Sequence, residues 1–221
     1  MVVRGDEAYR PRRRAEIEVI ANSVRDVLGI TGRVHGSHLF NHLDELVLIV
    51  DNKKIPVDYG VKDLNWGVMA CSQYDPPTGK IDVFLAPDTY DQLERGNPRA
   101  LFTLIHECGH VILHTDELID RATKPLDLAL HRRKQHPVYR DTEWQSDTFA
   151  GAFIAPLHDV LRLHDQLGYI TIKDVARAFG LSNQASEIRL ANIEQLTNRT
   201  LTRTDRIEEI SSYGAEEWFE E

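Results

Sequence analysis

The chain has 221 residues, of which 42% are hydrophobic and 28% are charged, the composition of an ordinary globular protein. No run approaches the roughly 18 apolar residues of a membrane span, and the start, Met-Val-Val-Arg-Gly-Asp-Glu, lacks the layout of a secretory signal. The net charge of -9 argues against a general nucleic-acid binder, and two cysteines are too few for a disulfide framework, so we expect a cytoplasmic protein without membrane association.

The first part of the chain predicts one helix and one strand. Apolar residues at helical spacing predict an amphipathic helix over residues 14–28, after a basic extension over residues 1–13. Residues 32–42 are turn-rich, and the β-branched run 46–50 predicts a buried strand. Three histidines in this region could mark a second metal site, but no cysteine or carboxylate has matching spacing, so we do not expect one. These histidines are His35, His38 and His42.

Two strand-like segments, 66–73 and 80–85, flank the turn sequence of residues 75–79 and predict a β-hairpin. We expect the second strand at the edge of a sheet, where an extended peptide could add as a further strand. Asn97 and Pro98 then predict the N-terminus of a helix, because asparagine caps free amides and proline suits the first helical position.

That helix carries a single H-E-x-x-H motif, at His106, Glu107 and His110. The two histidines lie one turn apart on one helix face and can bind one metal ion, while Glu107 addresses a water molecule on it. Cys108 lies on another face and is expected to be a packed core thiol. His114 continues the series but lies about 12 Å along the helix from His106, so we expect it to pack or to support the ligands.

A catalytic zinc needs a third protein ligand, which we predict to be Glu143. Glu143 begins a second helix, predicted over residues 143–154 with Asp141 or Thr142 as its cap. Asp147 lies one turn further on the same face, where it can accept a hydrogen bond from a ligating histidine. The alternative is that Glu143 only stabilises the helix start.

The segment before this helix is harder to interpret. It predicts a short helix near residues 126–133 and a loop, and it offers two further candidates for the third ligand. These are His131 and His136.

Both motifs resemble the ImmA/IrrE family of metallopeptidases, whose pattern is H-E-x-G-H followed by E-x-x-A-[DN]-x-F-A-x-x-L-L-M-P. Here the sequences are His-Glu-Cys-Gly-His-Val-Ile-Leu-His and Glu-Trp-Gln-Ser-Asp-Thr-Phe-Ala-Gly-Ala-Phe-Ile-Ala-Pro, in which Ser146 replaces the usual alanine and 153–155 replace Leu-Leu-Met. The second motif is also similar to that of thermolysin-like gluzincins. The resemblance implies an α+β, zincin-like core, with a small antiparallel or mixed sheet packed on helices and a helix-turn-helix-like segment after it.

Carried over to this sequence, the resemblance implies one Zn²⁺ per chain, held by His106, His110 and Glu143. It also implies that Glu107 is the catalytic base and that Asp147 supports a ligating histidine through a hydrogen bond. It implies a zinc endopeptidase that cleaves a protein partner, typically a helix-turn-helix repressor in stress response or mobile-element regulation. The group that stabilises the oxyanion is open. Candidates are Tyr74, Tyr139 and His131.

The segment 171–196 has the spacing of a helix-turn-helix, with Ser182 as cap of its second helix. It supports an alternative, a non-catalytic regulator that holds a structural metal and binds a partner or DNA. DNA contacts would come from Ser182, Asn183, Gln184 and Ser186. However, the second helix carries Glu187 and Glu194 against Arg189 alone, which disfavours DNA. The predicted organisation is 1–13 basic extension, 14–165 metallopeptidase domain, 166–200 helix-turn-helix-like segment and 201–221 acidic tail.

Overall fold

The computed structural model describes residues 10–43, 47–50, 52–123 and 141–202. Within them the fold is α+β, as predicted, and no helix is long and apolar enough to cross a membrane. The predicted helix near 126–133 lies outside the described residues, as do His131, His136 and Tyr139. The elements in chain order are α1 (Arg14–Val27), α2 (Gly36–Leu43), β1 (Val47–Val50), β2 (Lys53–Val61), β3 (Ala70–Asp75), β4 (Lys80–Leu85), α3 (Pro87–Glu94), α4 (Pro98–Leu113), α5 (Thr115–Thr123), α6 (Thr142–Ile154), α7 (Leu157–Leu167), α8 (Ile172–Phe179) and α9 (Asn183–Thr197).

The four strands form one small mixed sheet in the order β1-β2-β4-β3. β3 and β4 form the predicted antiparallel hairpin, while β2 pairs with β4 in parallel. The expectation that 80–85 forms a sheet edge is therefore wrong, because β4 has a neighbour on both sides. β3 is the edge strand on this side of the sheet. Local sequence pattern did not reveal this arrangement, since it depends on the pairing of two strands that are separated along the chain.

Two further expectations for the first part of the chain are wrong. β1 is an edge strand with β2 as its partner, and Val47 and Ile49 are 50% and 71% exposed, so the apolar run does not make a buried strand. The turn-rich stretch contains α2, which places Leu39 and Leu43 in the core. Gly36 permits this packing, since a β-carbon there would lie 2.3 Å from a side-chain carbon of Leu93.

The core forms around α4 and α6, with α1 packed on α6 and the sheet on the other side of α4. As predicted, Asn97 caps α4: its side chain accepts hydrogen bonds from the backbone amides of Arg99 and Ala100. Cys108 is a buried core thiol, also as predicted, and burial raises its pKa to about 12. The two helices that carry the motifs therefore lie at the centre of the described fold, between α1 and the sheet.

A buried ion pair joins the helix-turn-helix-like segment to this core. Arg189 of α9 donates to Glu18 of α1 at 2.7 Å and to the carbonyl oxygen of Ala155, the C-terminal cap of α6, at 2.8 Å. The same Glu18 oxygen accepts from the amide of Leu157 at 2.8 Å. One charge pair therefore fixes α1, the end of α6, the start of α7 and α9 relative to one another.

We predict that Arg189→Ala destabilises the protein by about 3–5 kcal/mol, because Glu18 is left as a buried charge without its partner. The matched control is Arg177→Ala in α8, an exposed arginine whose loss should cost less than about 0.5 kcal/mol. Urea unfolding followed by circular dichroism measures both free energies. Equal stabilities of the two variants would contradict this role of the buried pair.

Candidate metal centre

The site is built where α4 and α6 cross at close range. A β-carbon on Gly109 of α4 would lie 3.0 Å from the Cα and 3.2 Å from the Cβ of Ser146 in α6. Ser146 is completely buried, and serine is almost as small as the alanine of the motif that this sequence resembles. The two motifs therefore contain the small residues that let their helices touch, in addition to the polar residues that such contact brings together.

His106, His110 and Glu143 come together at this crossing. The Nε2 atoms of the two histidines are 3.0 Å apart, and the Glu143 carboxylate oxygens lie 3.4 Å from His106 Nε2 and 3.5 Å from His110 Nε2. Two ligands of a tetrahedral zinc, each at about 2.05 Å from the ion, would be about 3.3 Å apart. The donor set fits this ion in both chemistry and spacing, although its role as ligands stays a prediction.

Asp147 lies where the sequence placed it, with one carboxylate oxygen 2.8 Å from His106 Nδ1. This contact favours a proton on Nδ1 and leaves Nε2 directed at His110 and Glu143. Burial alone would lower the pKa of His106, but hydrogen bonds with Asp147 and Glu143 outweigh it and raise the pKa to about 9. In return, hydrogen bonds from His106 and His110 hold the pKa of Glu143 well below its usual range.

A side chain of the sheet forms a hydrogen bond with Glu107. Ser72 of β3 donates a hydrogen bond from its hydroxyl to Glu107 Oε2 at 2.8 Å. Sequence reasoning missed Ser72, because a single serine in a strand forms no motif. The hairpin prediction placed the strand before the motif helix, but it could not tell which side chain would meet Glu107.

His114 is buried behind the site, in agreement with its exclusion from the ligands. It caps the end of α4, and its Nε2 lies 3.1 Å from the side-chain oxygen of Gln145 in α6. Burial lowers the pKa of His114 to about 4. The Gln145 amide donates in turn to the carbonyl oxygen of Arg10, and the Arg12 guanidinium donates to the carbonyl oxygen of Leu113. The stretch 10–12 therefore contacts both site helices.

The remaining sequence candidates that the structure describes do not join the metal-binding group. Of the residues described, only His106, His110 and Glu143 form a group of three side chains that could hold a metal. His35 and His42 are outside that group. Tyr74 lies on β3, but its hydroxyl is near Gly79 in the β3–β4 turn, where a β-carbon on the glycine would be 3.9 Å from it. The oxyanion-stabilising group stays open.

The helix-turn-helix spacing is confirmed: α8 and α9 flank Gly180, and the Ser182 side chain accepts from the amide of Ala185. Ser182, Asn183 and Gln184 are exposed. Ser186, however, is completely buried, so its prediction as a base contact is wrong. Arg189 is buried as well, so α9 exposes no basic side chain along its described length. A DNA-binding surface on α9 would lack the positive charge that phosphate contacts require.

Comparison with known proteins agrees with the motif analysis. Residues 95–191, from the start of α4 into α9, match the model of a peptidase family described as the IrrE N-terminal-like domain. This part of the chain is similar to the IrrE N-terminal-like domain. The resemblance drawn from the two motifs is thereby confirmed. The match begins after the sheet, so β1 to β4 lie outside the matched residues.

Two other comparisons complete the picture. Among solved structures, one similar chain is a Mycobacterium tuberculosis transcriptional regulator, 19% identical, with a TM-score of 0.48. The similarity covers 79% of this chain and 55% of that one, so this chain spans little more than half of the regulator's length. No curated protein matches the sequence.

We predict that Gly109→Ala weakens both the fold and zinc binding. The added carbon meets the backbone of α6 at 3.0 Å, so the helices must separate. Overpacking costs about 1–3 kcal/mol, of which alanine's better helix propensity recovers about 1. Gly151→Ala is the matched control, because its carbon would meet Arg189 at an ordinary 3.6 Å.

Chelator competition gives the zinc affinity and urea unfolding gives the stability of these two glycine variants. The expected order is weaker zinc binding in Gly109→Ala and unchanged binding in Gly151→Ala. If both variants bind zinc like the wild type, the helix separation does not control the site.

We also predict that zinc binding depends on pH. Because the pKa of His106 is about 9 without metal, the ring carries a second proton at neutral pH, and this proton must leave before Nε2 can bind an ion. Apparent affinity should therefore rise with pH and level off near pH 9. Calorimetry at pH 7 in buffers of different ionisation enthalpy should show release of about one proton from this ring. Asp147→Asn should reduce the release, and no release in the wild type would contradict the prediction.

Proposed function

We propose that the protein is a zinc-dependent endopeptidase that hydrolyses a peptide bond in a protein partner. The observation that carries this proposal is the grouping of His106, His110 and Glu143 beside Glu107, within a domain of a peptidase family. The spacing of the three ligand atoms supports zinc. A bound Zn²⁺ would polarise the substrate carbonyl and lower the pKa of a coordinated water to about 7.

The residues around the ion have separate tasks. Asp147 keeps the proton of His106 on Nδ1, so that Nε2 stays available as a ligand. Glu107 takes a proton from the attacking water at its carboxylate and passes it to the nitrogen of the leaving amine. The water oxygen forms the new bond to the carbonyl carbon, and the bond from that carbon to the amide nitrogen breaks. The products are an amine and a carboxylic acid, and the acid releases the second proton of the water to become a carboxylate.

The proposed substrate is a protein segment in extended conformation. Among the described strands β3 lies at the edge of the sheet, and Ser72 connects it to Glu107; an extended peptide can pair with an edge strand of this kind. The Glu143 side chain is 66% exposed, so a chain can approach the site from outside. By the resemblance to ImmA/IrrE peptidases, we propose a helix-turn-helix transcriptional repressor as the partner.

The competing proposal is a non-catalytic regulator that acts through α8 and α9 with a structural metal. Its DNA-binding form is not supported, since α9 exposes no basic side chain. Docking of a protein partner on these helices remains compatible with a peptidase. The two proposals differ in whether Glu107 is needed, because a structural ion needs its ligands but not a general base.

We predict that Glu107→Gln keeps the fold and a full equivalent of zinc but lowers cleavage by at least about 100-fold, because glutamine cannot accept the proton. The assay co-expresses the protein with a helix-turn-helix repressor that is encoded next to it, and looks for fragments of the repressor. Glu94→Gln, an exposed glutamate of α3, is the matched control and should cleave normally. His106→Ala should lose zinc and cleavage together. Cleavage that survives Glu107→Gln, or a wild type without stoichiometric metal, would overturn the proposal.

A further inference from the structure

We propose that Ser72 is a positioning residue for Glu107, fixing the carboxylate so that one oxygen faces the reacting water. The inference rests on the proposed peptidase function and adds to it a residue that precedes the part of the chain matched by the family model, residues 95–191. Its basis is the hydrogen bond from the Ser72 hydroxyl to Glu107 Oε2, 2.8 Å long. A hydrogen bond to an ionised carboxylate is stronger than one between neutral groups.

This hydrogen bond gives the two carboxylate oxygens of Glu107 different roles. Oε2 is occupied by Ser72, and none of the described residues forms a hydrogen bond with Oε1. A glutamate side chain has three rotatable bonds, whereas a general base must stay within about 3.2 Å of the proton that it takes. Anchoring one oxygen removes most of this freedom and leaves the other available. Ser72 thus orders the Glu107 side chain before the reaction begins, which lowers the entropic cost of reaching the transition state.

Ser72 can anchor Glu107 because it stands on a rigid strand. β3 pairs with β4 over its whole length, and Ser72 lies opposite Val83, which is completely buried. Side chains alternate between the faces of a strand, so Ser72 shares the helix-facing side of the sheet with Ala70 and Tyr74. A hydroxyl on such a framework is held more accurately than one on a loop.

The same residue faces the proposed substrate through its backbone. The amide of Ala86 donates to the carbonyl oxygen of Met69, so this pair points inward between β3 and β4. Hydrogen-bonding directions alternate along an antiparallel strand, and the register is continuous from Ala70 to Asp75. The peptide groups of Ser72 therefore point away from β4, to the side on which no described strand pairs with β3. A peptide that pairs there is placed in register with the residue that holds the base.

The expected effect of Ser72→Ala is a loss in kcat rather than in KM. Removing a hydrogen bond to a charged group should lower kcat by about 10- to 100-fold. KM should stay within about threefold, because the backbone that would pair with the substrate is unchanged. Zinc content should also be unchanged. Ser72→Thr restores the hydroxyl and suits a strand, so it should recover most of the rate.

The test measures kcat, KM and zinc content for wild type, Ser72→Ala, Ser72→Thr and Gln73→Ala, with a repressor segment shown to be cleaved. Gln73 is exposed on the opposite face of β3, so its variant is the matched control. Normal kcat in Ser72→Ala overturns the positioning role while leaving the proposed function intact. An equal loss in Ser72→Ala and Ser72→Thr, or a change in KM alone, also overturns it. If no cleavage depends on Glu107, the proposed function and this inference fail together.

A second measurement needs no substrate. Ser72→Ala should lower the thermal unfolding temperature in the wild type but change it little in a Glu107→Ala background, where its partner is gone. Equal shifts in both backgrounds would show that the serine does not act through Glu107. This measurement also keeps the inference open to refutation if the Ser72 variants differ in expression.

Discussion

The site depends on one steric constraint, the contact between α4 and α6 at Gly109 and Ser146. The histidines come from one helix and the carboxylates from the other, so neither motif forms a site alone. The axes of packed helices lie about 8–10 Å apart, and larger residues at the contact place them at the wide end of that range. Here the missing side chain of Gly109 and the small Ser146 bring the backbones close enough for Glu143 to reach both imidazoles. Packing and donor geometry therefore share one cause.

The sequence was most informative where the chemistry is local. H-E-x-x-H spacing on a helix defines the positions of His106 and His110, and i, i+4 spacing relates Glu143 to Asp147. Caps such as Asn97 and Asp141 could be read in the same way, since each side chain bonds an amide two or three residues away. The structure brings these groups together as the two motifs implied, although their catalytic and ligand roles stay predictions.

The sequence was least informative where partners are distant. The parallel pairing of β2 with β4 has no local signature, and for this reason the edge strand was misassigned. The burial of Ser186 and Arg189 is similar: α9 reads as a polar helix, whereas Arg189 is compensated by Glu18, which is 171 residues away. Ser72 combines both difficulties, being a common residue on a strand whose contact with Glu107 spans 35 residues. Such contacts follow from the assembled core, and only the assembled core reveals them.

The contacts of residues 10–12 with Gln145 and Leu113 have a consequence for control of the site. If zinc binding draws α4 and α6 together, it also favours the arrangement in which these residues bridge the two helices. Thermodynamic linkage works in both directions, so a partner that holds residues 10–12 in place would tighten zinc binding by the same factor. Residues 10–12 would then alter metal occupancy from a position outside the group formed by His106, His110 and Glu143.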